Sequence, residues 1–386
     1  MRILFLNYNY LPQFTNPEKW IHKIRPFIIV PEELAKSNEV FFVGQIRHSG
    51  KFELNKVHYV FIDPGKKTYF PFHFYKIVKE IQAEIIIVPG FHFPMQLILL
   101  RFQLGRRIKI IGEYHADKPG KGIQKILQKL ADRFISAYHF TSISNAREWL
   151  ETGIIRNEKK CFEISSASVS FTQKNKSRCR QQLGIASMET ILLWVGRLNK
   201  NKDPLTVLNG FEKFSLNNPS AKLYMIYQGG EMEQEIKTKI AGSEPLRKQV
   251  KLQGEVQHED LNDWYSAADF FISGSHREGG SLALLEAIAC GCIPVVTNIP
   301  AAMKVIEDGR YGFYYEPGDA HGLLKILTLL PGIQKKEISN SIIQHYKKNY
   351  SPEAVAGKIE QMYTVEKANS RGVPSSVSLY PLHQKQ

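Results

Sequence analysis

The chain has 386 residues, 43% of them hydrophobic and 23% charged, with four cysteines. That composition excludes a disordered, collagen-like or disulfide-dense protein, and the length exceeds one ordinary core, so two domains are expected. The formal charge is +14, of which residues 1–170 carry +10 and residues 171–350 only +3; an excess in the first half favours an anionic partner such as membrane lipid, a phosphorylated acceptor or nucleic acid.

The N-terminus, Met1-Arg2-Ile3-Leu4-Phe5-Leu6-Asn7, is apolar only briefly and has no small-residue cleavage site. It reads as a first strand and not as a signal peptide, and no apolar run approaches the ~20 residues of a membrane span, so a cytoplasmic location is expected. Short apolar runs at Ile3–Asn7, Val40–Val43, Val57–Ile62, Ile85–Val88, Ile108–Gly112 and Phe140–Ile143 predict strands, with helical patterns between several of them. The rhythm restarts at Ile191–Val195, Lys222–Tyr227, Val250–Gln253, Asp269–Ile272, Pro294–Thr297 and Gly312–Tyr315. Strands alternating with helices predict an α/β protein with parallel sheets, here two Rossmann-like units (1–170 and 171–350) joined near Ser165–Lys176. Ligands in such sheets bind beyond the carboxyl ends of the strands, so two facing units would form a cleft.

Two stretches of the first half draw attention by charge. Segment 64–79 interleaves Lys66, Lys67, Lys76 and Lys79 with Tyr69, Phe70, Phe72, Phe74 and Tyr75, a composition suited to an anionic membrane interface or to a partly buried loop and helix. The helix predicted over Lys121–Phe134 is basic on one side, and its apolar stripe is expected to face the sheet. Pro352–Glu366 reads as a helix, and 367–386, rich in Ser, Pro and Lys, as a mobile tail.

No G-x-G-x-x-G follows a predicted strand, which argues against a nicotinamide or flavin cofactor. Cys290-Gly291-Cys292 has no second Cys/His pair at ligand spacing, and no Asp-x-Asp pair is present to hold a divalent ion, so neither a metal nor a cofactor is expected. Phosphate chemistry is nevertheless written in two places. After the strand ending at Val195 come Arg197, Lys200 and Lys202, cations able to take up the charge of a departing diphosphate. After Phe270–Ile272 the chain runs Ser273-Gly274-Ser275-His276-Arg277-Glu278-Gly279-Gly280-Ser281-Leu282 and then enters a helix-forming run through Glu286. A glycine-rich turn feeding a helix, with Ser281 suited to N-cap it, presents free N–H groups and the positive end of the dipole to an anion. Glu286, five residues past Ser281, sits roughly 7–8 Å along that helix, about the distance from a bound diphosphate to its ribose. The layout reads as a nucleotide-sugar site with one carboxylate for each flanking sugar.

Glu278-x7-Glu286 followed by Ala-Ile-Ala-Cys-Gly-Cys-Ile-Pro-Val-Val at 287–296 resembles the signature of retaining glycosyltransferases of family four, which have the GT-B fold of two Rossmann-like domains facing each other across a cleft. The loops Tyr227-Gln228-Gly229-Gly230 and Leu252-Gln253-Gly254-Glu255-Val256 resemble that family's nucleotide-lining walls. The resemblance implies that Glu278 binds donor-sugar hydroxyls and Glu286 the ribose, while the amides of Gly279, Gly280, Ser281 and Leu282 meet the diphosphate with Arg197 and Lys202. The residues alone leave Lys200 and Lys202 both open; family spacing favours Lys202. His115, after Glu113-Tyr114, resembles the family's acceptor-facing histidine, with His92 a weaker candidate, and the helix 352–366 would cross back to the first domain. The family's Gly-Gly turn after strand one is missing, since Tyr10–Pro17 holds no glycine. The resemblance implies a metal-independent hexosyltransferase moving sugar from a nucleotide-diphosphate donor to a glycan or lipid-linked acceptor, at the inner face of a membrane, in polysaccharide or glycolipid synthesis. A sugar-nucleotide epimerase of similar fold and a non-enzymatic anion- or nucleic-acid-binding module are the rival expectations.

Overall fold

The computed structural model of the protein describes residues 1–65, 72–105, 107–114, 117–165 and 168–369, the side chains of 72–73 and 364–369 excepted. The chain forms two compact units, Met1–Ser168 with the chain from Pro352 onward, and Val169–Ser351. His115, Lys66, Lys67 and the stretch 370–386 lie outside the described residues.

The first unit holds β1 (Arg2–Leu11), β2 (Glu39–Ile46), β3 (Gly50–Leu54), β4 (Val57–Ile62), β5 (Ile85–Pro89), β6 (Lys109–Glu113), β7 (Ala137–Phe140) and β8 (Cys161–Glu163). They lie in the order β3-β4-β2-β1-β5-β6-β7-β8, parallel except for β3 against β4. Alternation along the central strands gives both faces an apolar layer. Leu4, Leu6, Ile86 and Val88 enter one core, and Ile3, Phe5, Ile85 and Ile87 the other. The helix Pro352–Asn369 covers the second face with Val355, Ile359 and Met362.

Three expectations for this unit need correction. Over 140–143 only Phe140 is strand; the Ile143 amide donates to Glu163 Oε2 at 2.9 Å, and a helix starts at Ser144. In segment 64–79, Lys76 and Lys79 are exposed, but Phe74 and Tyr75 are core residues, so these aromatics do not share the lysines' surface. The helix Gly122–Ala131 turns its apolar stripe outward: Ile123, Ile126 and Leu130 are exposed while Gln128 is buried. Gln128 is held inward by hydrogen bonds to the Phe91 carbonyl and the Gly120 amide, and these fix the helix's rotation. Among the described residues no helix is long and apolar enough to cross a membrane.

The second unit holds β9 (Thr190–Arg197), β10 (Ala221–Gln228), β11 (Val250–Gly254), β12 (Phe270–Ile272), β13 (Ile293–Thr297) and β14 (Phe313–Tyr315), all parallel, in the order β11-β10-β9-β12-β13-β14. The order reverses between β9 and β12, so the loops leaving these neighbours diverge to opposite faces and open a crevice at their carboxyl ends. Arg197 ends β9, and the Ser273–Ser281 loop follows β12. Both predicted phosphate-handling stretches therefore meet at this switch point.

Candidate functional site

The two loops are fastened to each other. The His276 amide donates to the Asn201 carbonyl at 2.8 Å, Asn201 Nδ2 donates to the Arg277 carbonyl at 3.0 Å, and His276 Nε2 lies 3.0 Å from Asp203 Oδ2. Gly274 makes this possible, because a Cβ there would stand 2.6 Å from the Asp203 carbonyl oxygen. Asp203 adopts φ 39° and caps the following helix by accepting from the Thr206 amide. Gly230, after β10, packs as closely on the same loop: its Cβ would lie 2.2 Å from the Leu198 oxygen, to which the Met232 amide donates at 3.0 Å.

This fastening brings Lys202 and Glu278 together. Lys202 Nζ donates to Glu278 Oε1, with both side chains partly buried. The cation predicted for the diphosphate and the carboxylate predicted for the sugar are thus partners of each other. Arg197 is exposed and makes no ion pair among the described residues. Ser281 occupies the N-cap position of the helix Leu282–Ala289, but its hydroxyl makes no cap hydrogen bond. The Leu282 amide turns back to the Gly280 carbonyl at 3.1 Å. The helix start thus lacks a side-chain cap and stands after an exposed Gly280, an arrangement that leaves backbone N–H groups and the positive end of the dipole available to an anion.

Glu286 lies one face deeper. It is buried, and both carboxylate oxygens are engaged: Tyr265 Oη donates to Oε2 at 2.9 Å and His258 Nε2 lies 2.9 Å from Oε1. Burial, and then the Glu286 charge, push the Tyr265 phenol far up, so it remains a donor. His258 is half-exposed and tilted against the Phe171 ring at 5.0 Å. Its imidazole is raised, first by the hydrogen bond to Glu286 and against the cost of burial. Glu278 and Glu286 have separate sets of partners. His258 and Tyr265 were not singled out in the sequence; the available signal was their place just after the Gly254-Glu255-Val256 loop.

Elsewhere, His92 is tied to the buried Asp117, at 2.5 Å from Oδ1. Cys290 and Cys292 are buried free thiols against Asn262 Oδ1 and the Tyr265 carbonyl.

Two doubly wound units of this kind are the GT-B fold, and the second carries a helix start without a side-chain cap, flanked by two carboxylates. Residues 175–349 match the family described as Glycosyl transferases group 1, and the second unit belongs to that family. Over 218 residues the chain is 25% identical to D-inositol 3-phosphate glycosyltransferase of Streptosporangium roseum, covering 54% of this chain and 50% of that protein. It is 24% identical over 208 residues to alpha-monoglucosyldiacylglycerol synthase of Acholeplasma laidlawii, covering 52% and 50%. The chain thus spans about half the length of these curated relatives. Anabaena HepE, solved in complex with UDP, shares the fold with a TM-score of 0.71 at 17% identity, covering 94% of this chain and 100% of that one.

Proposed function

We propose that the protein is a retaining, metal-independent hexosyltransferase that takes sugar from a nucleoside-diphosphate donor to a glycan or lipid-linked acceptor. The observation that carries this reading is the Lys202–Glu278 pair set beside the unpaired Arg197 and the uncapped helix start. An incoming diphosphate would draw the Lys202 ammonium away from Glu278, freeing that carboxylate to accept hydroxyls of the sugar. Glu286, already oriented by Tyr265, would take the ribose hydroxyls through Oε1 in exchange for His258. In transfer, the bond from the anomeric carbon to the diphosphate oxygen breaks and a bond to the acceptor oxygen forms on the same face. The acceptor's proton passes to the leaving diphosphate, whose charge Arg197, Lys202 and the helix amides would hold. The relatives' names, a glycosyltransferase for D-inositol 3-phosphate and a synthase of a glucosyl diacylglycerol, and the UDP bound by HepE support the donor and acceptor classes.

A panel of nucleotide sugars screened by thermal shift, followed by product mass, tests the reading. A donor present at 100 times its Kd contributes ~2.7 kcal/mol, or roughly 5–10 °C for a domain of this size. At least one nucleotide sugar should give such a shift, and transfer to an acceptor should persist in excess chelator. An isomerised sugar nucleotide formed from donor alone would establish the epimerase instead, and indifference to every nucleotide sugar would overturn the reading.

A further inference from the structure

The outward stripe on the helix Gly122–Ala131 does not stand alone. Ile123 and Ile126 are 76% and 66% exposed, and Leu130 completes the row at helical spacing. The neighbouring helix Pro94–Leu104 exposes Met95 and Phe102, the latter at 75%, seven positions apart and so on one face. The Phe102 ring packs against Phe134, just beyond the first helix, at 5.9 Å.

This face is not an accident of loose packing, because polar anchors set it. Gln128 is bonded inward to Phe91 and Gly120. Four residues on, buried Asp132 accepts from Tyr138 Oη at 3.0 Å and pairs with Lys160 at 3.2 Å. With the polar positions 128 and 132 inside, the apolar positions must point out. Around them stand Lys118, Lys121, Lys125, Lys129 and Arg133, none of which makes an ion pair among the described residues. The two acids of residues 117–133 do not pair with them, since Asp132 is engaged as above and Asp117 is buried with His92 and the Phe91 amide.

We infer that this two-helix face docks on an anionic lipid bilayer, with Ile123, Ile126 and Phe102 entering the acyl boundary and the lysines reaching the headgroups. A row of aliphatic and aromatic side chains beside free cations matches that boundary. Nucleic acid offers phosphate but no apolar layer to receive the row. A second copy meeting this face across a two-fold axis would bring like charges together. The inference does not depend on the donor reading, whose residues lie in the other unit.

Vesicle cosedimentation of the full chain tests it, with phosphatidylcholine alone and with phosphatidylserine added. Binding should require phosphatidylserine and weaken with salt. Each of Lys125→Gln and Lys129→Gln should reduce partitioning about fivefold, the equivalent of ~1 kcal/mol. Ile123→Asp with Ile126→Asp should reduce it more than tenfold, and Ile126→Trp should give an emission shifted to the blue only with the anionic vesicles. All these positions are exposed or half-exposed, and thermal shift with the donor is expected to be unchanged in every variant. Binding indifferent to phosphatidylserine or to the Ile pair, dimerisation abolished by Ile126→Asp, or preferential salt-sensitive capture of nucleic acid would overturn it.

Discussion

Glu286 is the residue whose surroundings say most about the site, because a buried carboxylate persists only when its lone pairs are met. Tyr265 meets one oxygen from the interior, and His258 meets the other from a position half open to solvent. Because the folded imidazole is raised above its ordinary 6.5, the His258–Glu286 pair contributes stability that is full below that range. This contribution is lost as pH rises through the folded value. Denaturation of the intact protein at pH 6 and pH 8 should therefore show a loss for the wild type that shrinks by up to about 1 kcal/mol in His258→Gln. An identical pH difference in both proteins would mean that folding does not raise the His258 imidazole. Sequence reading located Glu286 by its spacing from Glu278, but could not supply its partners. His258 and Tyr265 come from a loop and helix that only the folded sheet brings alongside.

At the level of elements, the carboxyl-end loops of β9, β10 and β12 behave as one piece, with glycines at two of the crossings. Gly230 has no room for a Cβ against the Leu198 carbonyl, whereas at Gly229 the nearest atom, Glu233 Oε2, would be 3.4 Å away. Gly230→Ala must push aside the loop that carries Arg197 and Lys202, at a cost of ~1–3 kcal/mol. We expect at least a tenfold loss of nucleoside-diphosphate affinity in Gly230→Ala and little change in Gly229→Ala, measured by calorimetry. Equal behaviour of the two would show that the loops move independently. Most strands were legible because apolar runs of a buried parallel sheet stand out. β3 was not: Lys51, Glu53 and Leu54 are exposed, as an edge strand's often are. Its only sign was the Asn55-Lys56 turn, with φ of 50° and 65°, a hairpin geometry that the residue types do not announce. The helix Gly122–Ala131 shows a different limit. Periodicity revealed its stripe but not the direction it faces, which Gln128 and Asp132 decide through Phe91 and Lys160, partners remote in sequence.

Over the whole molecule, charge and chemistry are divided between the units. Most of the basic excess lies in residues 1–170, the unit with the outward apolar face. The loops proposed to handle phosphate occupy the switch point of the second sheet, in a unit that carries little net charge. That division was visible in composition, and two parallel α/β units were visible in the two runs of alternating elements, the GT-B fold itself being implied only by the resemblance of Glu278–Val296 to a known family. The surface on which the basic half acts was not, since its lysines are spread over many elements and only their exposure beside apolar side chains distinguishes them.

Calorimetry of a nucleoside diphosphate against the wild type, Glu286→Ala and Glu278→Ala tests the central claim most directly. Losing the ribose acceptor should cost Glu286→Ala ~1.5–3 kcal/mol, roughly 10- to 150-fold in Kd. Glu278→Ala removes the carboxylate to which Lys202 donates, so the diphosphate should bind at least as tightly as to the wild type while sugar turnover falls. Equal weakening in both variants, or no binding to the wild type, would contradict the assignment of ribose to one glutamate and sugar to the other.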